Sequence, residues 1–181
     1  MTQGLKQKLD YDDLAHAPDD GRRYELLDGS LVASSSPRPL HQRVSKRLQR
    51  QLEDHFEDRG LGEVFAAPVD VVLAYHDVVV PDLVVVTTPA QVTERAIEGA
   101  PTIVVEILSP STNERDRNVK AGRYATLGVP HYWIVDPIEE AIECYKLEAT
   151  GYALVISATG SAQLTHPDWP DLTLYLAAIW R

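Results

Sequence analysis

The strongest constraint on this chain is a pair of unbroken β-branched runs, Leu83-Val84-Val85-Val86 and Ile103-Val104-Val105. A strand with one wet face alternates apolar and polar residues, and these runs do not. Both strands must be covered on both faces, at the centre of a layered α/β sheet. Each run also carries an acid. Asp82 stands between Val78-Val79-Val80-Pro81 and Leu83, and Glu106 interrupts Val104-Val105-Glu106-Ile107-Leu108. A carboxylate in such a place is costly unless it is paired or bound to a cation. Two of them on neighbouring strands can converge their oxygens, the arrangement a hard divalent ion such as Mg2+ requires. The local alternative is that Asp82 caps a strand and Glu106 pairs with a lysine.

The length of 181 residues suits one domain over 1–181, with the polar residues 1–10 as a flexible tail. At 44% hydrophobic and 24% charged, the composition argues against disorder. There are 27 acids against 17 lysines and arginines, a net charge of −10. That excludes a general nucleic-acid coat while leaving room for a local basic patch. One cysteine, Cys144, and six scattered histidines exclude a disulfide framework and a cysteine-type zinc module. The N-terminus has no apolar signal core, and no apolar run approaches the ~18 residues of a membrane span. The expectation is a cytoplasmic protein that does not enter membranes.

Asp10 can cap a short helix to about His16, and Asp28-Gly29 reads as the turn of a hairpin between Tyr24–Leu27 and Leu31–Ala33. Residues 40–59 form the first long helix, with Val44, Leu48, Leu52 and Phe56 as its apolar stripe. Arg43, Lys46, Arg47 and Arg50 occupy the opposite face, and His41 points inward with Leu48 and Leu52. Strands are expected at 69–73, 83–87 and 102–108, with the loop 74–81 compatible with antiparallel pairing of the first two. A second helix starts near Ser111, which has capping-box spacing to Glu114, and stops at Gly128 and Pro130. Three further strands follow at 132–135, 141–147 and 152–157, and the apolar tail 172–180 docks as a short helix. Two helices on one mixed sheet of six to eight strands is the resulting picture.

Three more residues join the two acids as candidates. Lys120 lies four residues from both Asp116 and Tyr124, on a face that also carries Val119 and Leu127 and so looks toward the sheet. Its plain alternative is a helix-surface pair with Asp116. Glu25 is an acid in the apolar strand Tyr24–Leu27, without an evident partner. His41 can complete a metal shell, act as acid or base, or be a satisfied buried histidine. Cys144 has no adjacent histidine and reads as packing. Nucleotide-loop, nucleophile-elbow and zincin motifs are absent from the sequence.

These residues in this order resemble the PD-(D/E)XK endonuclease-like superfamily. Within it they resemble the bacterial Uma-two family, often labelled "putative restriction endonuclease". The stretches that carry the likeness are Tyr24–Gly29, Pro37–His41, Pro81-Asp82-Leu83, Val105–Thr112, Asp116–Lys120, Gly128–Trp133 and Asp136-Pro137, spread over residues 11–181. The resemblance implies a restriction-endonuclease-like α/β core, a central mixed β-sheet flanked by α-helices. It implies that Asp82 and Glu106 hold Mg2+ or Mn2+, with the backbone carbonyl of Ile107 as a further ligand and Glu25 as another. The superfamily's lysine would fall at Leu108, a departure. The family offers instead a lysine from the next helix, which maps to Lys120. His41 matches a family histidine.

The function expected is a metal-dependent nuclease acting on a nucleic acid, DNA being the expected one. Asp82, Glu106, Lys120, Glu25 and His41 form the site, Arg43, Lys46, Arg47 and Arg50 contact phosphates, and a homodimer sets two sites on two strands. The competing readings are a catalytically inactive nuclease-fold protein used for binding or assembly, and a hydrolase of smaller phosphate esters. The net charge and Leu108 favour the inactive protein.

Overall fold

The computed structural model describes residues 8–34, 36–110 and 112–181. Helix α1 (Tyr11–Leu14) is capped by Asp10, whose carboxylate accepts the amides of Asp12 and Asp13. Strands β1 (Arg23–Leu27) and β2 (Ser30–Ser34) form the predicted hairpin. Asp28 and Gly29 both take positive φ, 51° and 75°, as a two-residue turn matching the strand twist demands. Helix α2 (Pro39–Phe56) ends three residues before its predicted limit, and Val44, Leu48, Leu52 and Phe56 are fully buried.

The two β-branched runs become β6 (Leu83–Val86) and β8 (Ile103–Ile107), inner neighbours in a six-stranded mixed sheet. Its order is β11-β10-β9-β8-β6-β3, with β3 at Glu63–Ala66, β9 at His131–Asp136, β10 at Ala141–Glu148 and β11 at Gly151–Thr159. Leu83, Val85, Ile103, Val105, Trp133 and Val135 point to one face, where α2 and α4 (Leu176–Trp180) pack. Val84, Val86, Val104, Tyr132 and Ile134 point to the other. A second sheet, β2-β1-β5-β4-β7, covers that face together with α3 (Ala121–Thr126). Its remaining strands are β4 (Val71–Ala74), β5 (Asp77–Val79) and β7 (Ile97–Glu98).

This second sheet corrects the single-sheet expectation. The segment 74–81 is not a loop joining paired strands. It contains β5, which pairs with β4 and β1, while β6 pairs with β3 and β8. Unbroken apolar runs report that both faces are covered, but helix and sheet cover them equally well.

Two other expectations shift. Ser111 lies outside the described residues, so its capping role does too. The segment Arg115–Lys120 is a wide π-type turn that leads into α3, with the Ala121 amide donating to the Asp116 carbonyl five residues back. Such a turn rotates less per residue than an α-helix, and Val119 is 52% exposed rather than buried. The apolar tail splits into β13 (Thr173–Tyr175), paired with β12 (Gln163–Thr165), followed by α4. Ile179 of α4 is fully buried in the α2 core. Ile179→Val lowers stability by about 0.5–1.5 kcal/mol in a urea melt; an unchanged midpoint means that the tail does not dock.

Candidate active site

The site forms at the C-terminal end of β8. Strands β8 and β9 run parallel, so the chain must cross over between them, and residues 108–130 do so. That crossover carries the π-type turn and α3 across the end of β8. The antiparallel register of β6 and β8 pairs Leu83 with Val105, so one step further Asp82 stands opposite Glu106. Both acids share the strand parity of Val84 and Val104, which face away from α2.

Three carboxylates, one ammonium and one imidazole meet there. The Lys120 Nζ donates to Glu25 Oε1 at 2.8 Å and to Glu106 Oε1 at 2.9 Å. Glu25 Oε1 also accepts the Val80 amide at 2.9 Å, and Glu106 Oε1 the Tyr124 hydroxyl at 2.7 Å. Asp82 Oδ2 accepts the Ile107 amide at 2.8 Å and lies 3.1 Å from His41 Nε2 in the first turn of α2. In each carboxylate one oxygen does the positioning. Among the described residues, the second oxygen of each takes no protein hydrogen bond.

The charge balance is uneven. Glu25, Glu106, Asp116 and Lys120 are 2%, 4%, 3% and 3% exposed, and Asp82 is 9% exposed. Four acids thus surround one ammonium. Burial, reinforced by Asp116, Asp82 and Glu25, outweighs Lys120 and pushes the Glu106 carboxyl up to about 8. Asp116 is raised for the same leading reason, against the pull of Lys120. For Lys120 burial opposes the charge, but Glu106, Glu25 and Asp116 outweigh it and hold the ammonium above its ordinary range. The cluster carries more negative charge than its own residues neutralise. Its oxygen donors therefore fit a hard divalent cation.

The acids line a cavity of about 380 Å³ whose wall also includes Ile107, Arg23, Arg38 and Arg115. Of the predicted phosphate-contact stripe, Arg43, Lys46 and Arg50 are exposed on α2. Arg47 is half-buried and donates to the Ile179 carbonyl of α4 at 3.4 Å. None of the four lines the cavity.

A family model described as "Putative restriction endonuclease", Uma2, matches residues 10–177. The chain belongs to the Uma2 family. A solved structure from Anabaena variabilis, titled a putative nuclease belonging to DUF820, shares the fold with a TM-score of 0.76. At 17% identity it covers 95% of this chain and 97% of its own. No curated protein matches the chain. The fold is thus the restriction-endonuclease-like core expected from the sequence.

In this Uma2 chain Leu108, where the resemblance leads one to expect a lysine, is buried in the core between the two sheets. An ammonium nevertheless reaches Glu106 from Lys120, because the crossover folds back over the strand end. Sequence reasoning did not assign three participants. Asp116 and Tyr124 sit four residues either side of Lys120, a spacing that signals a shared face but not which groups it meets. Arg115 is a rim residue that donates to Ser34 Oγ at 3.0 Å, and its sequence shows no signal beyond charge.

Proposed function

We infer that this protein hydrolyses phosphodiester bonds in a nucleic acid, DNA in the first instance, with Mg2+ or Mn2+ held by Asp82 and Glu106. The observation that carries this reading is the excess of buried carboxylate in one cavity, each acid fixed through one oxygen. Glu25 and the carbonyl of Ile107 are the further ligands. When bound, the cation supplies Lewis acidity toward a phosphate group.

The chain's own residues supply the rest. Lys120 uses two of its three N–H groups to hold Glu25 and Glu106 in register, leaving one to orient the attacking water. His41 and the Ile107 amide fix the rotamer of Asp82. Arg23, Arg38 and Arg115 at the cavity wall attract and orient the phosphate. The exposed α2 cations Arg43, Lys46 and Arg50 continue the contact along the backbone, and the weaker Arg47 contact follows from its bond to α4. A homodimer sets two such sites on two strands.

The test is cleavage of supercoiled plasmid with Mg2+ or Mn2+ by the wild type and by Glu106→Ala purified alongside. The expected result is metal-dependent nicking that falls to background in the variant, with its fold preserved by circular dichroism. Equal activity in the two proteins overturns the assignment. The cavity volume also suits a small phosphodiester, so bis(4-nitrophenyl) phosphate belongs in the same assay. Turnover of that ester alone moves the substrate class from nucleic acid to small ester.

A further inference from the structure

His131, His166 and Asp168 form a second titratable cluster, on the other face of the six-stranded sheet and at its other end. His131 opens β9 opposite Ile103, whereas Glu106 lies three residues further along β8 opposite Ile134. At ~3.3 Å per residue that is about 10 Å along the strands. His131 shares the parity of Trp133, on the α2 face, and Glu106 that of Ile134. The two clusters are therefore separated by the sheet itself.

One ring nitrogen from each histidine and one carboxylate oxygen of Asp168 lie within 4.8 Å of one another. The histidines are 6% and 0% exposed. His131 Nε2 stands 3.6 Å from Asp168 Oδ2, too far for a hydrogen bond. It is close to the ~3.4 Å that separates two ligands of a tetrahedral zinc ion. Among the described residues, His131 Nδ1 and His166 Nε2 are buried without a hydrogen-bond partner. His166 Nδ1 accepts the Asp168 amide at 3.1 Å, which places the ring proton on Nε2 and leaves Nδ1 as the ligating atom once that bond opens. Trp133 stacks on His166, and Trp169 packs against both imidazoles, so the histidine side of the cluster is dry. Asp168 is partly exposed and provides the entry path.

We propose that His131, His166 and Asp168 form a second metal site, for a borderline ion of the Zn2+ type, with its open position facing solvent. The donor set separates it from the carboxylate cavity. Two imidazoles and one carboxylate select zinc-like ions, whereas an all-oxygen set selects Mg2+ or Mn2+. Two contacts compete with the cation. Lys146 Nζ lies 2.9 Å from Asp168 Oδ2 and 3.1 Å from Oδ1, the Asp168 amide bonds His166 Nδ1, and a cation must displace both. Lys146 is half-exposed and can swing into solvent.

The test is Zn2+ titration calorimetry on untagged protein in excess Mg2+, with Co2+ absorption as the spectroscopic probe of tetrahedral geometry. The wild type binds one zinc ion. Asp168→Ala weakens it at least about 10-fold, the smaller loss seen when even an outer partner of a metal ligand is removed. Lys146→Met strengthens it, a gain that a merely structural cluster does not produce. The double variant Asp82→Asn/Glu106→Gln binds zinc as the wild type does, which keeps this site separate from the nuclease reading. Asp168 and Lys146 are surface-accessible, so both single variants fold, as circular dichroism will verify. Absence of zinc binding in the wild type overturns the proposal. So does zinc binding unaffected by Asp168→Ala, weaker binding in Lys146→Met, or binding lost only in the double variant.

Discussion

Replacing Lys120 by methionine lowers the free energy of unfolding by about 3–5 kcal/mol at pH 9, where Glu106 is ionised, the cost of leaving buried charges without their partner. Among the described residues, Lys120 is the one ammonium that bonds Glu25 and Glu106, at 2.8 and 2.9 Å, and all three side chains are buried. Methionine fills the volume, so the loss reads charge rather than a cavity. A half-buried pair nearer the surface provides the scale. Arg117 and Glu143 lie 2.7 Å apart with solvent reaching both in part, and Arg117→Met costs about 1 kcal/mol. Two rescues follow from the cause. Adding Glu25→Gln and Glu106→Gln to Lys120→Met restores most of the lost stability, because neutral amides need no counter-charge. Excess Mg2+ restores part of it in the single variant, because a divalent cation replaces the missing charge. Urea melts measure all four proteins. A Lys120→Met variant as stable as the wild type shows that the ammonium is not holding the acids together.

The second large effect is a fall in stability as the pH rises from about 5 to 8 in the absence of divalent ions. Burial and three neighbouring acids push the Glu106 carboxyl up to about 8, above its ordinary 4.5. Between those values the folded chain binds a proton that the unfolded chain has released. Folding is favoured most below the lower value, and that stability drains away as the pH approaches the upper one. The slope reaches about 1.4 kcal/mol per pH unit at most. Asp116, also raised, acts in the same direction. Lys120 stays charged across this range and does not alter the slope. Thermal melts in EDTA from pH 5 to 8.5 measure the effect, and Glu106→Gln flattens the curve. Cation binding competes with the same proton, so Mg2+ affinity rises with pH and excess Mg2+ removes the slope. A rise in wild-type stability over this interval rules out the proton on Glu106.

How much of this site was legible depended on whether a residue violated its local pattern. Glu106 and Asp82 stood out because a carboxylate within an unbroken apolar strand is expensive. Glu25 stood out in the same way within Tyr24–Leu27. His41 and Lys120 were oriented by helical spacing, which does not name what a side chain meets, and only the family resemblance joined them to the acids. Asp116 and Tyr124 shared that face and were passed over, since an acid and a tyrosine near a lysine on a helix are ordinary. The basic stripe on α2 was legible as a solvent face, but the bond of Arg47 to α4 depends on where the tail docks. His131 and His166 lie 35 residues apart in different elements, and no spacing rule links them.

The sequence by itself determined that two central strands are covered on both faces and that acids interrupt them, because apolar periodicity and the cost of buried charge are local properties. It also determined α2 and the Asp28-Gly29 hairpin, which rest on stripe spacing and on turn stereochemistry. Tertiary structure alone decided that the cover is a second sheet, since a strand face buries equally well against helix or sheet. It alone decided that Lys120 meets Glu25 and Glu106 across 95 and 14 residues of chain. Such convergence follows from the parallel crossover between β8 and β9, and strand pairing over long separations leaves no mark on the local pattern.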